Sequence, residues 1–354
     1  MRRYKTYING EWFEGTSGIV LRSVDPSNNQ ELGEIVQNSK EDVEYAIESA
    51  SRSFYKTREW RDLDVQQRSD KLLKIADMIE SEIDEIAKTE SMDNGKPLRE
   101  AQADVDDAVH CFRYYAGLIR TPSGQTYNVN SNFGNMHSYT LKEPVGVCAL
   151  ITPWNFPFLM SVWKIAPALA AGNSIIFKPS SETVLSALKL FEILDKCDLP
   201  KGTANLVIGS GSTVGNLLAE SKKVDMITFT GSTSVGQGIM RAAAGNVKKI
   251  GLELGGKSPN IVFADTDIDK TVEWVMMGIF LNQGEVCCAG SRLIIEKSIK
   301  DKFLKKLVER TDKLTLGAPL DNPDMGPLIS KKHMQDVLAV SYTHLRAHET
   351  GRNL

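Results

Sequence analysis

Between residues 145 and 263 short apolar runs alternate with segments long enough for a helix, and this alternation constrains the chain more than any other feature. The runs cover residues 145–151, 174–177, 204–208, 226–230 and 260–263. Strands joined by such long connections pair in parallel through crossover helices, because a hairpin cannot span that length. The expected fold is α/β, with doubly wound parallel sheet domains. Ligands of such sheets bind outside the carboxyl ends of the strands. The residues that follow the runs are polar or glycine-rich: Thr152-Pro153-Trp154-Asn155, Lys178-Pro179-Ser180, Gly209-Ser210-Gly211 and Gly231-Ser232-Thr233-Ser234-Val235-Gly236.

Upstream the texture is helical. From Asp42 to about Asn94 the residues Leu72, Ile75, Ala76, Ile79, Ile83 and Ile86 recur at three- and four-residue steps, and Gly95-Lys96-Pro97 stops the pattern. A second helical stretch, 101–118, runs into Thr121-Pro122-Ser123-Gly124. Residues 125–141 are polar, with Tyr127, Val129, Phe133 and Tyr139 spaced as in a two-stranded ribbon that needs a partner.

At 354 residues the chain is too long for one typical domain. Net charge is -3, and Lys and Arg are scattered among Asp and Glu, so no basic stripe exists for nucleic acid. Glu11 and Glu14 follow the basic start where a signal peptide would be apolar, which points to the cytoplasm. The longest apolar run, near 165–177, is broken by Pro167, Gly172 and Asn173, so no membrane span is expected. The five cysteines, Cys111, Cys148, Cys197, Cys287 and Cys288, have no C-x-x-C spacing and read as free thiols, with no metal site. His344 and His348 stand four apart, but a pair without a third ligand is ordinarily incidental.

Several residues have chemical potential, each beside a plainer alternative. Gly231 to Gly236 forms a turn whose bare N–H groups suit a pyrophosphate, although it lacks the G-x-G-x-x-G spacing and tight turns often look like this. Lys178 at a strand end suits ribose hydroxyls, or is a snorkelling surface lysine. Glu253, in Leu252-Glu253-Leu254-Gly255-Gly256-Lys257, ends an apolar strand; burial there would raise its pKa and suit it to general-base work, the alternative being an ion pair with Lys257. Cys287 lies among small and polar residues near an expected helix start, where a thiolate is favoured below its free pKa of about 8.5; the alternative is a small buried apolar residue.

Four segments, Pro153-Trp154-Asn155-Phe156-Pro157, Phe229-Thr230-Gly231-Ser232, Glu253-Leu254-Gly255-Gly256-Lys257 and Asn282-Gln283-Gly284 through Cys287, resemble the signatures of the aldehyde dehydrogenase superfamily, in its order. The resemblance runs from about Tyr4 to about Val340. It implies NAD(P)-dependent oxidation of an aldehyde to the acid. Cys287 is then the nucleophile, Asn155 and the Cys287 backbone N–H hold the oxyanion, and the thiohemiacetal expels hydride to the nicotinamide. Glu253 activates the water that hydrolyses the thioester.

The same resemblance places NAD or NADP along Ile151, Thr152, Pro153, Trp154, Lys178, Ser181, Gly211, Phe229, Thr230, Gly231, Ser232, Val235, Gly236 and Leu254. Ser181 stands where NAD-preferring members carry Glu, with Glu182 one step later, so NADP is tolerated. Phe156, Met160, Trp163, Val286 and Cys288 line the substrate tunnel, and its aromatic character suits apolar chains or a quaternary ammonium. Residues 282–293 look most like the betaine-aldehyde branch.

The implied organisation is a cofactor domain from 1–123 and 143–255, an oligomerisation ribbon at 124–142 that makes a homodimer or homotetramer, and a partial catalytic domain at 256–340. Family members continue further, and residues 341–354 match nothing expected of them, resembling read-through from a truncated gene. A CoA-acylating enzyme and an inactive nucleotide-binding fragment are the rival functions. Glu253 disfavours the first, and the joint presence of Asn155, Glu253 and Cys287 disfavours the second for the parent protein.

Overall fold

The computed structural model describes residues 2–350, with side chains as far as Thr343. Five short strands open the chain: β1 Arg3–Tyr4, β2 Thr6–Ile8, β3 Glu11–Phe13, β4 Val20–Val24 and β5 Glu31–Val36. The helical pattern upstream of Gly95 resolves into three helices, α1 Lys40–Arg52, α2 Val65–Ser81 and α3 Ile83–Asn94. A turn ending in left-handed Arg58 (φ 60°) separates the first two, and Asp64 restarts the chain by accepting from the Gln67 N–H at 2.8 Å. Gly95 closes α3 at φ 97°, a conformation that favours glycine, and α4 Leu98–Leu118 follows.

Strands β6 Thr126–Ser131 and β7 Gly134–Tyr139 form the antiparallel ribbon expected from the sequence. They pair with each other alone among the described residues, and Phe133 at the tip is 95% exposed. Beyond the ribbon come β8 Val147–Ile151, α5 Pro157–Ala170, β9 Ser174–Lys178, α6 Leu185–Lys196, β10 Ala204–Leu206, α7 Asn216–Glu220, β11 Met226–Gly231, α8 Thr233–Ala243 and β12 Lys249–Leu254. The sheet order is β12-β11-β8-β9-β10-β2-β3, parallel from β12 to β10 and antiparallel where β2 and β3 extend one edge.

Period-two alternation in β8 feeds both faces of this sheet. Cys148 and Leu150 join the core under α2 to α6, whereas Val147, Ala149 and Ile151 pack on the opposite side with α1, α7 and α8. That two-sided burial explains why the strands read as unbroken apolar runs.

The run at 260–263 leaves this sheet. β13 Pro259–Val262 pairs in parallel with β14 Arg292–Ile295, and α9 Ile268–Phe280 and α10 Lys300–Thr311 pack on the pair through Val272, Val275, Met276 and Phe303. The last helix, α11 Lys331–Thr350, extends into the segment 341–354 expected to be a tail; residues 351–354 and the side chains of His344 and His348 lie outside the described residues. Among the described residues no helix is long and apolar enough to cross a membrane, and no group of three or more metal-ligating side chains occurs. All five cysteines are free.

Candidate active site

The sheet order places a topological switch point between β8 and β11, since the chain runs from β8 outward to β9 and β10 and then returns to the other side of β8. Crevices at such points are where doubly wound sheets bind ligands. Register aligns the strand ends: Ile151 lies opposite Phe229 and Lys178, Thr230 opposite Glu253, and Gly231 opposite Leu254.

The loop after β8 carries Thr152, Pro153, Trp154, Asn155 and Phe156 into α5, which starts on Pro157. After β11, Ser232 caps α8 by accepting from the Val235 N–H. The glycines here make room rather than supply unusual backbone angles. A Cβ at Gly231 would meet the Phe229 ring at 2.5 Å, and one at Gly236 would meet Leu254 at 2.8 Å.

This edge has the character of a polar-ligand site. The hydroxyls of Thr152 and Thr230 are buried without a partner among the described residues. Lys178 is 4% exposed and donates to the Pro179 carbonyl at 2.9 Å; burial pushes its ammonium down to about 8. The turn at Gly211 lies close by, a Cβ on Gly215 coming within 3.9 Å of Lys178. Ser181 is half-buried just beyond β9. Lys178, Ser181, Gly211, Val235 and Gly236 thus border the strand ends outside the two cavities that meet at Cys287.

Two cavities meet at Cys287. One, of about 590 Å³, is walled by Pro153 to Phe156, Gly231, Ser232, Leu254, Val286, Cys288 and His333. The other, of about 630 Å³, is walled by Lys164, Thr228 and Glu253 together with strand side chains of β8. Met160, Trp163, Thr230 and Cys287 face both. The structure therefore gathers Asn155, Phe156, Met160, Trp163, Glu253, Val286, Cys287 and Cys288, from three separate stretches of chain, around one thiol.

Two expectations are corrected. No helix begins at Cys287; a tight turn at Leu281–Gly284, with Asn282 and Gln283 left-handed, precedes it, and a second turn leads on to β14. Although its thiol is exposed, loss of water on its covered side, reinforced by the Cys288 thiol, holds Cys287 above its ordinary pKa, and no cation among the described residues offsets this. Glu253 is exposed rather than buried: it ends the edge strand β12, whose far side no strand covers among the described residues.

Three contributors were not legible as motifs. Lys164, on α5, is 8% exposed, donates to the Thr228 hydroxyl at 3.0 Å, and is lowered to about 8 by burial against the opposing pull of Glu253. Glu285 is buried, its carboxyl raised to about 7 by loss of water. The α3–α4 corner supports both active-site loops: Asn94 donates to the Trp154 carbonyl at 2.8 Å, Glu90 accepts from the Phe158 N–H at 2.8 Å, and Glu100 accepts from the Asn282 N–H at 2.9 Å. A helix-stop motif such as Gly95-Lys96-Pro97 signals a turn, not a buried polar scaffold.

The aldehyde dehydrogenase family profile matches residues 12–348. Betaine aldehyde dehydrogenase of Bacillus subtilis is 45% identical over 332 residues, covering 94% of this chain and 67% of the relative. Aminoaldehyde dehydrogenase 1 of Pisum sativum is 44% identical, with 94% and 67% covered. Betaine aldehyde dehydrogenase of Staphylococcus aureus, crystallised with NAD+, superposes with a TM-score of 0.92 at 41% identity, covering 98% of this chain and 68% of that one. The chain spans about two thirds of the length of these relatives. A match through the switch-point loops and the Cys287 segment alike leaves one assignment: the chain belongs to the aldehyde dehydrogenase family.

Proposed function

We propose that the protein oxidises an aldehyde to its carboxylic acid with NAD or NADP. The observation that carries this is Cys287 in the shared wall of two cavities, with the switch-point edge on one side and Glu253 on the other. The cofactor fits the edge chemically, since the unpartnered Thr152 and Thr230 hydroxyls and the buried Lys178 ammonium suit the hydroxyls of a nucleotide. When bound, the nicotinamide supplies the acceptor for the two electrons and the hydrogen that leave the aldehyde carbon.

The exposed Cys287 thiol gives its proton to solvent water and its sulfur bonds to the carbonyl carbon, the C=O electron pair moving to oxygen. The Asn155 carboxamide, one N–H of which remains free of its bond to Glu285, and the Cys287 N–H stabilise that oxyanion. Re-forming the C=O breaks the C–H bond and leaves a thioester. Glu253 then takes a proton from water, whose oxygen displaces the sulfur. The exposed position of Glu253 keeps it in reach of water, which favours hydrolysis over acyl transfer to CoA.

Trp163, 53% exposed at the cavity mouth, suits a cationic aldehyde such as betaine aldehyde or an aminoaldehyde, in keeping with the named relatives. The ribbon, with Phe133 and Leu141 (74%) bare, suits assembly as a homodimer or homotetramer. Mass spectrometry after mixing with an aldehyde and either cofactor tests the chemistry. An acyl group on Cys287, absent in Cys287→Ser, is expected; an adduct elsewhere overturns the reading.

A further inference from the structure

We propose that Glu285 is a positioning residue for the reaction: its buried carboxyl clamps the nucleophile loop so that the Glu285 backbone carbonyl holds the Asn155 carboxamide ready for the oxyanion. This rests on the role proposed above for Asn155.

The Asn155 Nδ2 donates to the Glu285 carbonyl at 2.7 Å, and Asn282 Nδ2 returns a bond to the Asn155 carbonyl at 2.7 Å, so the two loops are reciprocally tied. The loop making this tie is costly to hold. Asn282 and Gln283 sit at φ 48° and 58°, in the left-handed region. Of the nine buried side-chain polar atoms without a partner among the described residues, four belong to Asn282, Gln283 and Glu285. Something must keep such a segment in place, and the Glu285 side chain is anchored where that is possible. Its Oε1 accepts from the Ile329 N–H at 3.1 Å and stands 3.5 Å from His333 Nε2. The His333 ring in turn packs edge-on against Trp154, the neighbour of Asn155, at 5.1 Å between centroids.

A carboxyl is a poor choice for mere filling. The side chain is 1% exposed and Oε2 has no partner, where an amide could donate or a methyl would need nothing. The titratable and charged groups that face it are His333 from α11, Lys96 from the α3–α4 corner, and the thiols of Cys287 and Cys288 on its own loop; Asp336 acts on His333. Lys96 draws the carboxyl toward its charged form but burial outweighs it, so the group changes charge near neutrality. The clamp is thereby sensitive to pH, and Asn155 feels the change through the loop.

The test uses the full chain labelled with 15N-asparagine, the Asn155 side-chain signal being identified by its loss in Asn155→Ala. The Asn155 amide protons are expected to shift with a midpoint near pH 7, the value at which Glu285 titrates. In Glu285→Gln, which keeps the shape and the acceptor for Ile329, that transition disappears. In turnover, Glu285→Ala is expected to lower kcat about tenfold or more while KM for the cofactor stays within about twofold, and Glu285→Gln recovers to within about threefold of the parent at pH 8. A flat Asn155 signal from pH 5 to 9, or an unchanged transition in Glu285→Gln, overturns the clamp even if Glu285→Ala fails to fold. Undiminished turnover in Asn155→Ala, while the parent chain shows the transition, instead overturns the oxyanion role of Asn155, and with it the catalytic meaning of the clamp.

Discussion

The Lys96 ammonium lies 4.3 Å from the centroid of the Phe156 ring, one of the walls of the cavity at Cys287. It is 0% exposed and also meets Glu90 at 3.4 Å and Asp104 at 2.5 Å. One face of Phe156 is therefore already occupied by a cation of the protein itself, which leaves Trp163 as the better aromatic for a charged substrate. Removing this lysine strands two buried carboxylates. Lys96→Met is expected to destabilise the fold by about 3 kcal/mol or more, read from urea unfolding monitored by circular dichroism. A loss below about 1 kcal/mol would show that the cluster is not held by its cation.

Lys164 predicts a selective defect. Its ammonium is the cation beside Glu253, and among the described residues no other basic side chain lines that cavity. Lys164→Met is expected to slow hydrolysis of the thioester about tenfold while leaving its formation nearly unchanged. Quenched-flow mass spectrometry would then show the acyl form of Cys287 accumulating. Equal slowing of both steps would place Lys164 elsewhere in the cycle.

Lys178 couples the strand-end edge to stability. Its pKa falls from 10.5 unfolded to about 8 folded, so between those values the unfolded chain binds more protons and this lysine makes stability rise with pH. Below pH 8 both states carry the charge and its burial cost is felt in full. Lys178→Met is expected to be more stable than the parent at pH 7, with the gap shrinking by about 2 kcal/mol at pH 9.5. Paired urea titrations at the two pH values measure this; a gap independent of pH would mean that the ammonium is well solvated.

The parallel sheet, its crossover helices and the exposed ribbon were legible because each has a local pattern: apolar runs of strand length, spacers of helix length, and alternation in a polar stretch. The first five strands were not, since they are two to six residues long and most interleave charge with apolar side chains. The separation of β13 from the main sheet was equally hidden, because an apolar run states that a strand is buried and not which neighbour buries it.

The types of chemistry at Cys287 and along the neighbouring strand ends were set by residues readable in order along the chain: a carboxamide, a strand-end lysine, a carboxylate and a thiol. Their electrostatics were decided in three dimensions. A pKa depends on water and charge within a few ångströms, and those neighbours arrive from distant segments. Hence Glu253 proved exposed where its apolar flanks implied burial, whereas Glu285, with nothing to mark it, is enclosed by Ile329 and His333 from more than forty residues away. Lys96 is the sharpest case: in the chain it is part of a helix stop, and only the packing of α3, α4 and the loop before α5 makes it a buried ion beneath the active site.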